Sequence, residues 1–554
     1  HFLRSSSPAG DAGGTGQQPA DRPGLFRHLG VSVDAAWPPP PLSSGLDGGA
    51  PPAVFIETYG CQMNEADSGV VAALLRKAGF GVATKALDAQ AILINTCAIR
   101  DKAERTVIAR LRALRSETAF GGGGEGKRRP IIGLLGCMAE RTKTEFLFGK
   151  ETEGENGEVV AGKPPATKSG GRLVDFVVGP DAYRDLPVLM RSLLAAESSK
   201  AYAYNVLLSH EETYSDVDTA PAPREAVAGG EMRDEAQGKA SAMLTIMRGC
   251  ENMCTYCVVP GTRGVERSKA ASDVVSEAQR LFDAGVREVV LLGQNVNSYN
   301  DLTAMQRAGE MVGMGPGAPD AAGDSRPRTP LERVEYAAGF STIYRPPVRG
   351  LQFAELLHLV CGVSPELRVR YTSPHPKDFT KDVIAAHATL PNLAAHIHLP
   401  AQSGDDIVLE AMRRGYTDAA YRDLVAAIRA EIPTIALSSD FIVGFPGETE
   451  AAHRRTLALL DDVAYENAFL FAYSERGGTY AARHIPDSVP AAVKSRRLRE
   501  AIDTFVARAT EKNVAGEIGR EHLVLVDGVR EGEPGNGRVY TGRTDTNKRV
   551  FFEG

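Results

Sequence analysis

Three closely spaced cysteines constrain this chain more than any other feature. Cys250, Cys254 and Cys257 follow a Cys-x-x-x-Cys-x-x-Cys spacing. Gly249 precedes them and Gly261 follows, and residues of this kind favour a loop that can curl around a bound group. Cysteine thiolates so close together indicate a metal site.

The surrounding sequence argues against a complete zinc site. Structural zinc takes four protein ligands, but no histidine lies between His210 and His358. Thiolates also hold iron-sulfur clusters, and three of them would leave one iron of a cubane open to a ligand that is not protein. We therefore favour a cluster with one open iron, while structural zinc and a disulfide remain the alternatives.

Length and composition limit the possible architectures. The chain has 554 residues, enough for about three or four domains, and 43% of them are hydrophobic. Seven cysteines, few and odd in number, favour a reducing compartment over a disulfide scaffold. The formal net charge of −7 provides no overall basic field, so any contact with RNA must be local. We find no apolar run of about 18 residues and predict no membrane span.

The first 52 residues differ in composition from the rest of the chain. Residues 1–52 are rich in Gly, Pro, Ser and Ala, which predicts disorder or the remnant of a targeting segment. Four aspartates in this stretch count against a transit peptide. Because the chain begins at His1 and ends at Gly554 inside an apparent domain, we expect it to be a fragment.

Residues 53–205 predict a parallel α/β domain with a second cysteine site. Strand-like segments end just before Cys61, Cys97 and Cys137, and helical patterns follow them. The carboxyl ends of parallel strands meet at one edge of a sheet, so these cysteines should converge there. The alternative is that they are ordinary buried cysteines. We expect residues 115–129 and 150–171 to be inserted loops, and residues 206–241 to be a linker.

Residues 242–489 alternate strand and helix patterns. Repeated units of this kind predict a partial (β/α) barrel with its site at the carboxyl ends of the strands, where the loop with Cys250 lies. We expect residues 299–350 to be a poorly ordered insertion. Cys361 falls on an amphipathic helix and is interpreted as a core residue.

The last part of the chain predicts a helix over 490–516 and a small, truncated β-barrel over 517–554. A basic group lies beside Tyr540, Phe551 and Phe552. Such a surface can bind RNA by charge and stacking, although a solvated sheet edge explains it equally. The basic residues are Arg538, Arg543, Lys548 and Arg549.

Several short motifs together resemble the radical S-adenosylmethionine (SAM) methylthiotransferases of the MiaB type. The resemblance covers residues 53–554 apart from the insertions. Three further segments are most similar to the eukaryotic mitochondrial branch, which is associated with a cyclin-dependent-kinase regulatory subunit. The general motifs are Thr58–Asn64, Asn95–Cys97, Gly136–Cys137, the Cys250 triplet with Thr262–Gly264, Leu291–Val296, Ser373–Pro376, His398–Gly404 and Ser439–Thr449. The branch segments are Ser373–Asp378, Leu409–Tyr416 and Leu470–Tyr473.

The resemblance implies a reaction, which is methylthiolation at C2 of N6-isopentenyladenosine next to the tRNA anticodon. In that family one SAM methylates a sulfur at an auxiliary cluster, and a second provides the radical that opens C2. It also implies that the small C-terminal barrel is an RNA-binding TRAM domain. By resemblance, the radical [4Fe-4S] cluster belongs to Cys250, Cys254 and Cys257. The auxiliary [4Fe-4S] cluster belongs to Cys61, Cys97 and Cys137.

Most candidate SAM-binding residues lie at or just after the ends of strands of the central domain, while Tyr256 lies in the cluster loop just before its third cysteine. An arginine can hold the SAM carboxylate in a bidentate manner. Each of these residues also has a purely structural interpretation. The candidates are Tyr256, Gln294, Arg370, Gln402, Ser403 and Arg413.

The resemblance implies partners and leaves alternatives open. The partners are the tRNA anticodon stem-loop and an electron donor such as a ferredoxin or a flavodoxin-type reductase. Localisation is expected to be mitochondrial, with the cytoplasm or a plastid as alternatives. The same chemistry on threonylcarbamoyl-adenosine tRNA or on a ribosomal protein is one rival. A non-catalytic protein that contacts a kinase regulator is the other, and two cysteine triplets argue against it.

Overall fold

The computed structural model describes most of the chain from residue 51 onward. The predictions for residues 1–50, apart from 29–31, for most of the linker at 220–239 and for the insertion interior at 304–333 lie outside the described residues. The described ranges are 29–31, 51–98, 101–120, 129–143, 145–149, 151–153, 159–161, 172–196, 201–217, 219, 240–303, 334–337, 339–342, 350–531 and 537–553.

The amino-terminal part is built on one seven-stranded sheet. All neighbouring strands are parallel except the first pair, in which Leu29–Val31 runs antiparallel to Ala203–Asn205. This confirms the predicted parallel α/β arrangement. Across the sheet the strands are Leu29–Val31, Ala203–Asn205, Phe176–Val178, Ile131–Leu135, Ala91–Thr96, Ala53–Tyr59 and Gly81–Val82.

Helices cover both faces of this sheet. Apolar side chains form one core on each face, as expected for strands that are buried on both sides. The strand Ala91–Thr96 is buried along its whole length. The helices are Gln62–Lys77, Asp101–Phe120, Cys137–Thr142, Glu145–Phe148 and Leu186–Ala195, with short 3₁₀ turns at Ala86–Asp88 and Tyr183–Asp185.

The central part consists of six parallel strands in two three-stranded sheets. Within each sheet the strands are neighbours in chain order. A single parallel bridge between Val369 and Leu393 connects the last strand of one sheet to the segment leading into the other. The strands are Ser241–Thr245, Glu288–Leu292 and Arg368–Tyr371 in the first sheet, and His396–His398, Ala436–Val443 and Asn467–Ala472 in the second.

Helices alternate with these strands and enclose a large apolar core. Cys361 is part of that core, as predicted. The helix Asp418–Glu431 was not predicted from the sequence. The helices are Val259–Arg263, Ala271–Asp283, Phe353–Cys361, Lys381–Thr389, Asp406–Ala411, Asp418–Glu431, Glu450–Val463 and Tyr480–His484, with 3₁₀ turns at Val296–Ser298 and Pro376–Asp378.

The predicted insertions contain more regular structure than the sequence suggested. The helix that starts at Asp101 continues to Phe120, so the prediction of a loop over 115–129 is wrong for its first part. Short paired strands occupy Glu151–Glu153 and Val159–Ala161. In the 299–350 insertion, two further short pairs form, and the Ser341 amide donates to the Gly415 carbonyl at 2.7 Å. These pairs join Asn300–Asp301 to Leu351–Gln352 and Val334–Ala337 to Phe340–Thr342.

The carboxyl-terminal part is a helix followed by a small antiparallel sheet. The helix Ala491–Gly516 confirms the predicted one and packs on Asn467–Ala472 and Glu450–Val463. The sheet strands are Val524–Glu531, Arg538–Thr544 and Arg549–Glu553. Among the described helices, none is both long enough and apolar enough to cross a bilayer.

Candidate functional site

The amino-terminal cysteines meet at one sheet edge, as their positions in the sequence predicted. Cys97 directly follows the end of one strand, Cys61 lies two residues after the end of the neighbouring parallel strand, and Cys137 begins the helix after a third. The Cys97 amide donates to the Tyr59 carbonyl at 3.2 Å, which ties two of these ends together. Cys97 and Cys137 are buried, and Cys61 is partly buried.

Two glycines allow the three cysteines to approach. Gly60 has φ +125°, and a Cβ there would lie 2.4 Å from the Cβ of Cys97. Gly136 has φ +85°, and a Cβ there would lie 2.3 Å from Asn95 Oδ1. Any larger residue would meet both backbone strain and a collision, so the close packing of this edge depends on glycine.

Buried amides fix the floor of the amino-terminal site. Asn64 Nδ2 donates to Asn95 Oδ1 at 3.1 Å, and Asn95 Nδ2 donates to the Asn64 carbonyl at 2.9 Å and to Ser68 Oγ at 2.9 Å. Cys61 Sγ donates to Asn64 Oδ1 at 3.2 Å. The hydrogen-bond network therefore orients the Cys61 thiol through Asn64, whose side chain and carbonyl are held by Asn95 of the neighbouring strand.

Electrostatics at this edge favours a charged thiol. A hydrogen bond with Cys97 lowers the pKa of Cys61 to about 6 against the effect of burial, and the positive charge of Arg263 adds to the lowering. Burial raises the pKa of Cys137, and Arg263 opposes that rise. Metal centres bind thiolates rather than thiols, so the charge of Arg263 favours the ligand form of both.

The central triplet lies on a tightly folded loop after the first parallel strand. Gly249 has φ +81°, and a Cβ there would lie 1.8 Å from the Val265 carbonyl oxygen. The Cys250 amide donates to the Gly264 carbonyl at 3.1 Å, and the Cys257 amide donates to the Cys254 carbonyl at 3.0 Å. The loop is thus closed by its own backbone.

A buried arginine contacts this second triplet. Arg414 Nη1 donates to Cys254 Sγ at 3.3 Å and to the Tyr256 hydroxyl at 3.4 Å. Its Nη2 donates to the Pro400 carbonyl at 3.0 Å. Burial raises the pKa of Cys257 to about 12, and the positive charge of a bound metal centre would favour its thiolate.

The two triplets adjoin each other. Cys137 of the amino-terminal site packs in one buried group with Ala98 and with Val258, the residue after Cys257. Arg263 Nε donates to Cys137 Sγ at 3.0 Å, although the arginine belongs to the segment after the other triplet. The chain therefore brings six cysteines to the contact between its amino-terminal and central parts.

A buried ion-pair network holds this contact together. Asp67 forms ion pairs with two arginines. Its Oδ1 lies 2.9 Å from Arg248 Nη1, and its Oδ2 lies 2.7 Å from Arg263 Nη2. Asp181 pairs with Arg267 at 3.0 Å from Nη2 to Oδ1. All five side chains are almost fully inaccessible to solvent, so each charge depends on its partners.

The cysteines of the two sets are free thiols, and their chemistry fits the ligands of iron-sulfur clusters. None of the seven cysteines, all of which are described, forms a disulfide. No group of three His, Cys, Asp or Glu side chains in the described ranges converges on one ion. Two sets of three thiols with nearby N–H donors suit clusters, because a cluster spreads its thiolate ligands over several irons and responds to hydrogen bonds at sulfur.

Unpaired buried amides fit a polar ligand beside the central triplet. Gln294 Oε1 and Nε2 are buried and lack a hydrogen-bond partner among the described residues, and the same is true of Asn252 Nδ2. Buried polar atoms are rarely left unpaired. These groups therefore fit a ligand with amino and carboxylate groups, such as SAM.

The remaining SAM candidates have varied surroundings. Tyr256 packs against a buried apolar group that includes Phe445, and Gln402 is buried with φ +69°. Ser403 Oγ contacts Thr456 Oγ1 and accepts from the Asp405 amide, which is a structural role.

Two arginines among those candidates contact other parts of the protein. Arg370 donates to Glu288 at 2.7 Å and to the carbonyls of Thr544 and Asp545, so its donors already have protein partners, and its assignment to SAM stays a prediction. Arg413 is exposed and stacks over the Tyr480 ring at 3.9 Å. Arg370 thereby joins the central part to the C-terminal sheet.

The predicted basic face is divided between the two faces of the small sheet. Tyr540 stacks on Phe552 at 5.6 Å, and Arg538 shares their face by strand alternation. Arg543 and Arg549 are paired across the strands on the opposite face, which carries Phe551. Lys548 lies in the turn and donates to Asn513 Oδ1 at 2.8 Å. The prediction of a single basic face is therefore wrong.

Comparisons with known proteins agree with this site. The model of Uncharacterized protein family UPF0004 matches residues 53–154, and that of the Radical SAM superfamily matches residues 244–460. Each match includes one complete cysteine triplet.

Three relatives match most of the chain. It is 41% identical over 556 residues to "Mitochondrial tRNA methylthiotransferase CDK5RAP1" of Rattus norvegicus, covering 100% of this chain and 80% of that protein. It is 42% identical to the protein of the same name in Homo sapiens, and the match covers 94% of this chain and 78% of that protein. It is 40% identical to "tRNA-2-methylthio-N(6)-dimethylallyladenosine synthase" of Amoebophilus asiaticus, and the match covers 90% of this chain and 86% of that protein.

Proposed function

The chain belongs to the family of radical-SAM tRNA methylthiotransferases, and on that premise we propose that its two cysteine triplets hold two [4Fe-4S] clusters serving one reaction. It converts N6-isopentenyladenosine in tRNA to its 2-methylthio derivative. The dimethylallyl group in the name of the bacterial relative is the same isopentenyl substituent.

The contact between the two triplets is the observation that supports this proposal most. Cys137 and Val258 pack together, and Arg263 reaches from the segment after one triplet to the thiol of the other. A reaction that needs sulfur delivery and radical formation on the same adenine requires the two centres to be close to one substrate. Two unrelated structural metal sites would have no such requirement.

The two triplets have separate roles. Cys250, Cys254 and Cys257 would hold the radical cluster, and Cys61, Cys97 and Cys137 the auxiliary cluster. When bound, the clusters and SAM supply the electron, radical and sulfur chemistry that amino-acid side chains lack. Gln294 and Asn252 provide unpaired amide groups for SAM, and Tyr256 and Gln402 remain proposed SAM contacts.

The chain's own residues prepare this chemistry by positioning and burial. Cys97, Cys137, Cys250 and Cys254 are all buried. Exclusion of water strengthens the hydrogen bonds and charges that act on the thiolates. The backbone bonds of the central loop hold its three cysteines before any ligand binds, so little rearrangement is needed.

The remaining architecture follows the family assignment. We propose that the two three-stranded parallel sheets form one partial barrel, and that the C-terminal sheet is part of a TRAM-like barrel that contacts the tRNA anticodon stem-loop. Arg543, Arg549 and Phe551 share one face suited to phosphate and base contacts. A ferredoxin or flavodoxin-type protein would donate electrons, and the site of action would be the mitochondrion.

The RNA face is tested by the salt dependence of tRNA binding. Arg543→Gln combined with Arg549→Gln should weaken binding and reduce the slope of log affinity against log salt by about two, since each phosphate contact contributes about one. Arg538→Gln, on the other face, is the matched control. An equal effect of the control would contradict the choice of face.

The substrate assignment is tested with a panel of tRNAs. The anaerobically reconstituted protein, with SAM and a reductant, should add a methylthio group to tRNA that contains N6-isopentenyladenosine. It should leave unmodified and threonylcarbamoyl-modified tRNA unchanged when nucleosides are analysed by mass. A methylthio product only on the threonylcarbamoyl tRNA would contradict the substrate assignment.

A further inference from the structure

Arg263 extends from the central part of the chain into the amino-terminal cysteine site. It ends the short helix Val259–Arg263 that follows Cys257, and its Nε donates to Cys137 Sγ at 3.0 Å. The helix that begins at Cys137 packs directly on this short helix. One segment thus carries both a ligand of one triplet and a hydrogen-bond donor to the other.

The guanidinium of Arg263 has donor capacity that the protein does not use. Its Nη1 is buried and has no hydrogen-bond partner within the described ranges. Its Nη2 forms an ion pair with Asp67 at 2.7 Å but no regular hydrogen bond. A buried donor that is left unpaired is costly, so this group suits an additional acceptor at the cysteines.

The surrounding network carries excess positive charge. Three arginines, Arg248, Arg263 and Arg267, face two aspartates, Asp67 and Asp181. The other buried carboxyl there is Glu140, whose pKa burial raises to about 7, so it balances the excess only in part. Negative charge on the thiolates would complete the balance, because unpaired buried charge is strongly unfavourable.

We propose that Arg263 is a positioning residue of the auxiliary cluster, which holds the Cys137 thiolate by a hydrogen bond and raises the reduction potential of that cluster. The inference rests on the proposed function, since it requires Cys61, Cys97 and Cys137 to hold a cluster. Reduction adds negative charge, which a nearby guanidinium stabilises, and hydrogen bonds to sulfur act in the same direction. The auxiliary site is therefore completed by a residue from the radical-SAM part.

The experiment isolates the auxiliary cluster. In the whole 554-residue chain carrying Cys250→Ala, Cys254→Ala and Cys257→Ala, only the amino-terminal triplet remains. Arg263→Gln and Arg263→Lys are added separately in this background. Two quantities are measured after anaerobic reconstitution: the midpoint potential of the cluster and the rate of iron loss to a chelator.

Arg248→Gln is the matched control. Arg248 is equally buried and pairs with the same Asp67, but its guanidinium donates to Asp67 and to the Pro180 carbonyl rather than to a thiol. A purely structural role for Arg263 would therefore affect both variants alike.

The account predicts that Arg263→Gln lowers the midpoint potential and speeds iron loss about tenfold, as removal of an outer-shell partner commonly does. Arg263→Lys keeps the charge and should remain closer to the parent potential, while Arg248→Gln, which removes a charge but no hydrogen bond to a thiolate, should shift the potential clearly less than Arg263→Gln. A parent-like potential in Arg263→Gln, or an equal shift in Arg248→Gln, would overturn the inference and leave the proposed function intact. Absence of iron from the triple-alanine parent would overturn both.

Discussion

Arg414 Nη1 lies 3.3 Å from Cys254 Sγ, and so the central triplet, like the amino-terminal one, has a buried arginine at one of its thiols. Both arginines directly precede a glycine with positive φ, namely Gly264 and Gly415. The two sites thus share a local design although they belong to different parts of the fold.

The division of labour between the triplets can be separated by two substitutions. Cys254→Ala should abolish formation of 5′-deoxyadenosine from SAM. Cys97→Ala should leave that cleavage in place but stop production of methylthio-tRNA, because only the auxiliary cluster is lost. Both products are measured by mass spectrometry, and methylthiolation retained in either variant would refute the assignment.

Arg414 should matter for the radical cluster, and its neighbour Arg413 should not. Arg414→Gln removes a donor to Cys254 and to Tyr256, so we expect SAM cleavage to slow at least about tenfold. Arg413→Gln loses only a stacking contact with Tyr480 at the surface. Cleavage rates in the two variants are compared at equal iron content, and a larger effect at Arg413 would restore that residue as a SAM contact.

Asp67 should contribute strongly to stability. Asp67→Ala leaves Arg248 and Arg263 buried without their shared partner, and removal of one member of a buried pair costs about 3–5 kcal/mol. Chemical unfolding measures the change in the free energy of unfolding. Asp216→Ala, which breaks an ion pair with Arg184 at the surface, is the control and should cost under about 1 kcal/mol. Equal losses would show that the buried network is not the stabilising element.

Gly60 should be required for the auxiliary site. Gly60→Ala places a methyl group 2.4 Å from the Cβ of Cys97, so we expect the variant to lose about four irons per chain, the content of one [4Fe-4S] cluster. Gly285→Ala is the matched control, because Gly285 also has a positive φ but a Cβ there would have no neighbour within 4 Å. Its iron content should remain that of the parent, and the same loss in both variants would mean that backbone strain alone is responsible.

Much of the fold could be predicted from the sequence because helices and strands leave local hydrophobic patterns. Hydrophobic patterns predicted the parallel strands that end before Cys61, Cys97 and Cys137, and the topology of parallel sheets brings such ends together. The residues that contact the sulfurs were harder to identify. Arg263 and Cys137 are 126 positions apart, and no local pattern reports such a contact between domains.

The omissions and errors have equally specific causes. Arg414 was not singled out because two adjacent arginines carry no sequence signal that tells which one is buried, and the assignment of Arg413 to SAM stays a prediction. The contacts of Arg370 were not predicted because its partners Thr544 and Asp545 lie far along the chain. The prediction of a single basic face was wrong because Arg538 and Arg543 are an odd number of positions apart on one strand. Successive residues of a strand point to opposite faces, so these two side chains lie on different faces.

The central claim is that two cysteine triplets hold two clusters that act together, and the most direct test is the iron and sulfide content of the anaerobically reconstituted protein. We expect about eight irons and eight sulfides per chain, and about four of each when either triplet is replaced by alanine, in keeping with two [4Fe-4S] clusters. About four irons in the unaltered protein, all of them lost with Cys250, Cys254 and Cys257, would contradict the claim.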